Sequence, residues 1–350
     1  MPITKISLNN FRCFKNLELS LSPGINFFFG SNGSGKTSIL ESVFIFSSGK
    51  SFKSSNLTSL INYDNDKFIL KGFDNKKGYI VEIEKSKNET ISISLNNNKT
   101  NTSKLVKEFP CTPIHNNTFS FADASPDFRR KLVDRSIFIA EDNFSKVWFS
   151  FYRSLRQRNF LLKNNRISDI YNWNTKLADE AEKLTKYRKD FFEKTLNEFY
   201  LLINLLKPED VFDFFNLIKI EFSQGWAPEK SYLDVLNENK DIDIKRRSTT
   251  SGPHKSDIKF FINDIDARQI LSRGEQKFFS IIWSCAQHEV LKKHYEIDAT
   301  LLIDDIKSEL DERVFKLFSD LLNHINTQVI FSCIDAVSYT HLTLPTNREV

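Results

Sequence analysis

Several common signatures are missing from this sequence, and each absence excludes a class of protein. The four cysteines, Cys13, Cys111, Cys285 and Cys333, are scattered with no CxxC pair, which argues against a zinc site and a disulfide framework and fits a reducing cytosol. No apolar run is long enough to cross a bilayer, and the opening MPITKISLNNFRCF alternates like a strand where a secretory signal would carry an apolar core. The expectation is a cytoplasmic protein with no membrane association. An excess of one charge is missing too: 49 basic and 45 acidic residues leave a net +4, so any basic surface must be local. No repeat recurs at solenoid periods. The single Met and 33 Phe read as coding bias and name no activity.

What is present suits a globular α/β protein. With 350 residues, 40% of them hydrophobic, the chain can bury the core of one large domain or two ordinary ones. ITKISL, KNLELSL and INFFF read as strands, and KFILKGF, GYIVEIE and TISISL as an antiparallel side sheet split by turn-rich DNKKG and KSKNE. From about Asp142 the apolar spacing becomes three and four, over SKVWFSFYRSLRQRNFLLKNNR and WNTKLADEAEKLTKYRKDFFEKTLNEFYLLINLL, which predicts two long helices before Pro208. Strand, turn and helix return with DIKFFI, FFSIIWSCAQHEVL, ATLLIDD and TQVIFSC. The expected layout is an α/β head built from residues 1–141 and 250–337, a mainly helical arm inserted at 142–249, and a tail at 338–350.

Gly30-Ser31-Asn32-Gly33-Ser34-Gly35-Lys36-Thr37 satisfies GxxxxGK[ST], with the strand INFFF before it and the helix TSILESVFIF after it. Glycines let the loop turn its N–H groups toward a β-phosphate, and the helix N-terminus adds its dipole. Lys36 reaches the β and γ oxygens, and Thr37 offers a hydroxyl to Mg²⁺. ATLLIDD supplies the second carboxylate, with Asp304 at the tip of a buried strand, placed to hold Mg²⁺ through water. Asp305 stands where a carboxylate can polarise the attacking water, the alternative being a turn or helix-capping aspartate. Leu271-Ser-Arg-Gly-Glu-Gln-Lys277 opens a long apolar helix, with Ser272 and Glu275 at capping-box spacing.

Together with the P-loop, LLIDD and SELD, LSRGEQK resembles the signature motif of ABC-type ATPases. That resemblance implies that Ser272 and Gly274 of one protomer close over the γ-phosphate held by another's P-loop. Further segments resemble the RecF family of DNA replication and repair proteins: ISLNNFRCFKNLEL before the P-loop, Gly49-Lys-Ser-Phe-Lys53, SPDFRRKLVD around Arg129 and Arg130, YRSLRQRNFLL around Arg156 and Arg158, and Thr250-Ser-Gly-Pro-His-Lys-Ser-Asp257. Lys stands for the family's Arg at Lys50, Lys53 and Lys255, keeping the charge but losing the bidentate fork. The segment from Pro113 to Asn116 lacks the acidic pair expected there, so no glutamine-loop counterpart is identified. SYTHLTLPTNREV fits no family segment and is expected to be an unrelated or disordered tail.

The resemblance implies an SMC-like head with a short arm, a homodimer held by ATP, and a weak ATPase that serves as a switch. By the same resemblance the cargo is DNA at gaps or single-strand/double-strand junctions, with RecR and RecO as partners in loading recombinase. Lys50, Lys53, Arg129, Arg130, Arg153, Arg156, Arg158, Lys163 and Arg166 are clustered basic candidates for DNA phosphates, which need charge without base readout. The alternative for each is a solvated helix face or a nearby acid, and Arg129 and Arg130 could equally be structural, bridging head and arm or reaching nucleotide. The alternatives are a cytosolic ABC transporter subunit, which shares the P-loop and signature, and a small-molecule P-loop kinase, which needs no signature.

Overall fold

The computed structural model describes residues 3–115, 121–206, 217–306, 310–334 and 347–349. The chain divides into two compact units, the first comprising Met1–Ser120, Leu202–Val211 and Ser272–Val350, the second Phe121–Leu201 and Phe212–Leu271.

The first unit opens with β1 (Lys5–Phe11), β2 (Phe14–Ser20), β3 (Ile25–Phe29), α1 (Lys36–Ser48), β4 (Lys67–Asp74), β5 (Tyr79–Ser86), β6 (Ser92–Leu95), β7 (Asn98–Lys99), α2 (Thr102–Glu108) and β8 (Cys111–Ile114). The second unit carries α3 (Pro126–Ala140), α4 (Phe144–Lys163), most of α5 (Ile170–Leu206), β9 (Ile218–Ser223), α6 (Tyr232–Glu238), α7 (Lys240–Arg246), β10 (Asp257–Ile262), β11 (Ile265–Asp266) and α8 (Ala267–Ile270). The first unit resumes with α9 (Arg273–Tyr295), β12 (Thr300–Asp304), α10 (Glu312–His324), β13 (Val329–Cys333) and β14 (Asn347–Glu349). No helix among the described residues is long and apolar enough to cross a membrane.

Two periodicities build two sheets in the first unit. In β4 every second side chain is buried, from Phe68 to Asp74, and such strands join an antiparallel sheet of order β2-β1-β4-β5-β6-β7. By contrast, β12 and β13 are buried along almost their whole length, as expected where both faces of a parallel sheet are covered. They lie in the parallel order β14-β3-β13-β12-β8. Helix α1 is apolar and buried nearly all round. Its Leu40, Val43, Ile45 and Phe46 share one core with Leu8, Phe68 and Leu70 of the antiparallel sheet and with Leu302 and Ile330 of the parallel one. Register places Asp304 beside Ser332 and Cys333 beside Phe29. The carboxyl ends of β3, β13 and β12 therefore finish side by side, where open parallel sheets bind ligands.

The short strand β14 adds Asn347–Glu349 to the edge of β3, opposite Phe27–Phe29. These three residues fall within the tail at 338–350, expected to be unrelated or disordered: the edge of β3 offers unpaired backbone groups, and an extended segment satisfies them. Residues 335–346 and 350 lie outside the described residues.

The second unit is wider than the 142–249 insertion that helical periodicity suggested. It takes in α3 on one side and β10 on the other, because Arg129 of α3 makes two 2.8 Å bonds to the Asp257 carboxylate at the start of β10. DIKFFI is therefore no strand of the head; it pairs antiparallel with β9 and β11. Two further arginines are buried in this unit. Arg188 forks onto Asp134 through two 2.8 Å bonds and donates to Pro253 O at 2.6 Å. Arg158 reaches Asp243, Thr249 and Asn174 at 2.7 Å each, and both charged side chains of its ion pair are 0% exposed.

These contacts favour the structural alternative for Arg129 and Arg130 and correct the placing of Arg158 among the DNA candidates. Arg129 and Arg158 are buried, and Arg130 donates to Ser256 O at 2.6 Å with an Asp127 oxygen 3.6 Å away. A cation wholly inside the protein cannot meet a phosphate, so Arg129 and Arg158 hold the fold instead, and half-buried Arg130 is tied to the Ser256 carbonyl. Burial also pushes the His254 imidazole down to about 4, so the neutral ring donates Nε2–H to Thr249 O at 3.0 Å. Gly252 takes φ 126 with Tyr232 Oη 2.1 Å from where a Cβ would stand, so a side chain there would displace the ring.

Replacing Arg158 by Met leaves the Asp243 carboxylate buried without its cation. The expected loss is about 3–5 kcal/mol of stability, read as a lower urea midpoint. An unchanged midpoint would mean that Arg158 does not anchor this unit.

Candidate functional site

Strand β3 delivers the chain to Gly30 and α1 starts at Lys36, so GSNGSGKT spans a buried strand and a buried helix. Gly35 is the helix N-cap, with φ 106 and no side-chain cap. A Cβ there would stand 2.3 Å from the Phe14 ring and 2.8 Å from Cys13 Sγ, so glycine lets the β1–β2 turn close against the loop. The uncapped start leaves the first helical N–H groups available to an anion. Lys36 Nζ donates to Gly30 O at 2.7 Å and Ser31 O at 2.8 Å, curling the cation beneath the loop.

Thr37 Oγ1 donates to Asp304 Oδ1 at 2.9 Å across 267 positions of sequence. Ser332 Oγ donates to the same oxygen at 2.7 Å and accepts the Asp305 N–H at 3.0 Å. Asp305 adopts φ 45, a left-handed conformation costing roughly 1–2 kcal/mol for a residue with a Cβ. That turn puts Asp305 on the wall of a cleft of about 450 Å³, which the P-loop, Arg12, Cys13, Lys53, Ser59 and Ile61 also line. Among the described residues no group of three His, Cys, Asp or Glu could hold a metal by itself. Thr37 and Asp304 supply two oxygen donors, which suits Mg²⁺, an ion that keeps several waters and takes further ligands from phosphates.

The sequence reading missed how Arg12 is aimed. Arg12 forks onto Glu41 of α1 with two 2.9 Å bonds, and the Glu41 side chain is 0% exposed. Ser51 Oγ also donates to Glu41, and the same oxygen accepts the backbone N–H groups of Lys53 and Ser54. One buried carboxylate thus fixes two cationic segments, at Arg12 and Lys53, on the cleft. The available signal was Glu41 itself, a lone acid in the apolar run SILESVFIF.

Lys53, expected among the DNA contacts, lines this cleft instead. Lys50 is exposed beyond the Gly49 cap of α1, and Arg156 is exposed on α4. Ser272 is the N-cap of α9, where it accepts the Glu275 N–H at 3.4 Å while Glu275 accepts the Ser272 N–H at 2.6 Å. Ser272 is exposed, and a Cβ on Gly274 would meet nothing within 4 Å. The signature end of α9 is open to an approaching ligand. Asp311 of SELD caps α10, whereas Ser308 and Glu309 lie outside the described residues.

The family model for the RecF/RecN/SMC N terminal domain matches residues 2–343. A curated relative named DNA replication and repair protein RecF, from Actinobacillus succinogenes, is 33% identical over 96% of this chain and 94% of its own length. The chain belongs to the RecF family. A second relative of that name, from Pseudoalteromonas translucida, is 30% identical over 100% of this chain and 96% of its own. Among solved structures, the recombination mediator protein RecF-ATP in the RecFOR pathway superposes with a TM-score of 0.80 at 23% identity, covering 95% of this chain and 92% of that one. An Smc head bound to the C-winged helix domain of ScpA gives 0.59 at 16% identity, covering 97% of this chain and 91% of that one. The fold is an SMC/RecF-type α/β ATPase head. Full-length likeness to RecF proteins does not favour the transporter alternative.

Glu41→Gln keeps the shape of the side chain but removes the charge that orients Arg12. Charge-assisted hydrogen bonds contribute about 1.5–3 kcal/mol, so affinity for a fluorescent ATP analogue should fall roughly tenfold in titration. Wild-type affinity in the variant would remove Arg12 and Glu41 from the site.

Proposed function

We propose that this chain is an ATP-gated, DNA-binding repair protein that closes as a homodimer around two nucleotides. The observation that carries the reading is the Thr37–Asp304 hydrogen bond. It sets a P-loop hydroxyl and a strand-end carboxylate on one spot, the pair that a Mg²⁺–nucleotide complex requires. Lys36 and the α1 N-terminus take the β and γ phosphates, and Arg12 and Lys53 add positive charge to the same cleft. Asp305 polarises the attacking water, and turnover is slow, a timer more than a metabolic activity.

A second copy is needed for a chemical reason. Ser272 and Gly274 form a helix mouth, suited by hydroxyl, N–H and dipole to a phosphate. In the dimer, each mouth caps the γ-phosphate held by the other protomer's P-loop. Hydrolysis removes that bridge and releases the dimer. The cargo, by family membership, is DNA at gaps or single-strand/double-strand junctions, with RecR and RecO as partners in loading recombinase, in the cytoplasm.

Light scattering with and without ATP tests the closure. Ser272→Arg should bind ATP as the wild type does but remain monomeric, whereas Asp305→Asn should stay dimeric with turnover slowed at least tenfold, in line with the usual contribution of a positioned base. Equal ATP-driven dimerisation of Ser272→Arg and wild type would contradict the shared site.

A further inference from the structure

With Arg129, Arg130 and Arg158 committed to the fold and Lys53 to the cleft, the remaining cations of YRSLRQRNFLLK fall into a pattern. Helix α4 contains no acidic residue. Its buried face carries Phe144, Phe151, Leu155, Arg158, Leu161 and Leu162. On the opposite face Lys146, Phe149, Arg153, Arg156, Phe160 and Lys163 are all exposed. Their spacing alternates three and four, and at about 100° per residue all six fall within about a quarter to a third of the helix circumference.

Two properties of this stripe are unusual for a merely solvated surface. Among the described residues, none of its four cations is ion-paired, although exposed lysines elsewhere in the chain commonly have acidic partners. Its two phenylalanines are 56% and 52% exposed, and Phe149 is braced edge-on by Phe138 and Trp148 with ring centroids 6.4 and 5.1 Å away. The neighbouring helix α7, bonded to α4 through Arg158 and Asp243, ends in exposed Lys245, Arg246 and Arg247. The exposed acids closest in sequence are Asp142 and Asp169, both off α4.

We infer that the exposed face of α4 is a contact site for single-stranded nucleic acid, its cations pairing with phosphates and Phe149 and Phe160 stacking on unpaired bases. This rests on the DNA-binding reading above and deepens it by separating the single-stranded side of a junction from the duplex side. From Lys146 to Lys163 the stripe runs about 25 Å, with the two rings about 16 Å apart. An acidic protein would complement the charge but gives the paired rings no specific role. A duplex hides its base faces, whereas an unpaired base offers a face to each ring, and rings set among cations are the arrangement that binds single strands without sequence preference.

The test uses the full chain with fluorescein-labelled oligothymidylate and a labelled duplex of equal length, over a salt series. Phe149→Ala/Phe160→Ala should weaken oligothymidylate binding about tenfold or more and leave duplex affinity within about twofold. Arg153→Ala/Arg156→Ala should weaken binding and lower the single-strand salt slope by about 1.4, near 0.7 for each phosphate no longer neutralised. All four side chains are exposed, the two phenylalanines by more than half, and unfolding midpoints and duplex affinity report any loss of the Phe149 contacts with Phe138 and Trp148. Oligothymidylate affinity within twofold of wild type in both variants would overturn the assignment to α4 while leaving DNA binding intact. Wild-type protein that bound neither probe would overturn the DNA-binding reading along with it.

Discussion

The first unit depends on one carboxylate oxygen. Asp304 Oδ1 receives Thr37 Oγ1 from the start of α1 and Ser332 Oγ from β13, so three segments far apart in sequence meet at the carboxyl edge of the parallel sheet. Ser332 relays the constraint by accepting the Asp305 N–H, which holds Asp305 in its left-handed turn. Local strain of this kind persists where the surroundings over-determine it, and here the surrounding bonds are those that set the cleft. Thr37 and Asp304 are held together by their own bond, preorganised for a cation that both could bind.

The second unit follows a different logic. Three of its arginine–aspartate pairs, Arg129–Asp257, Arg158–Asp243 and Arg188–Asp134, are largely buried and lie where an apolar core would serve as well or better for stability alone. Their geometry is directional: each guanidinium fixes the angle at which helix, loop and strand approach. Arg188 ties α5 to α3 and to the Gly252–Pro253 turn through Asp134 and Pro253 O, while Arg129 ties α3 to β10. SPDFRRKLVD, YRSLRQRN and GPHKSD, three segments that carry the family resemblance outside the P-loop, are thus in large part the parts of one packed polar network.

What could be read from sequence was whatever depends on neighbours along the chain. The strand–GSNGSGKT–helix order, the apolar run into Asp304, the capping box at Ser272 and the alternation of the antiparallel sheet all have local causes. What was misread depends on partners far away. Arg158 and Arg156 are two residues apart and identical in type, yet one is wholly buried on Asp243 and the other faces solvent; only the fold separates them. The boundary of the inserted unit was misplaced for the same reason, since DIKFFI reads as a strand wherever it pairs. The convergence of Arg12 and Lys53 on the cleft required knowing that Glu41, buried in α1, faces both the β1–β2 turn and the Ser51 loop.

The proposed nucleotide site belongs to two chains: P-loop and Asp304 from one, Ser272 and Gly274 from the other. Mixing a Lys36→Ala protein with a Ser272→Arg protein tests that directly, because each is inactive alone but a mixed dimer contains one site built wholly from intact halves. ATP turnover should return in the mixture to at most about half of the wild-type rate per protomer, since ATP closes only mixed dimers and one of their two equivalent sites is whole. A mixture no more active than its separate components would contradict the shared site.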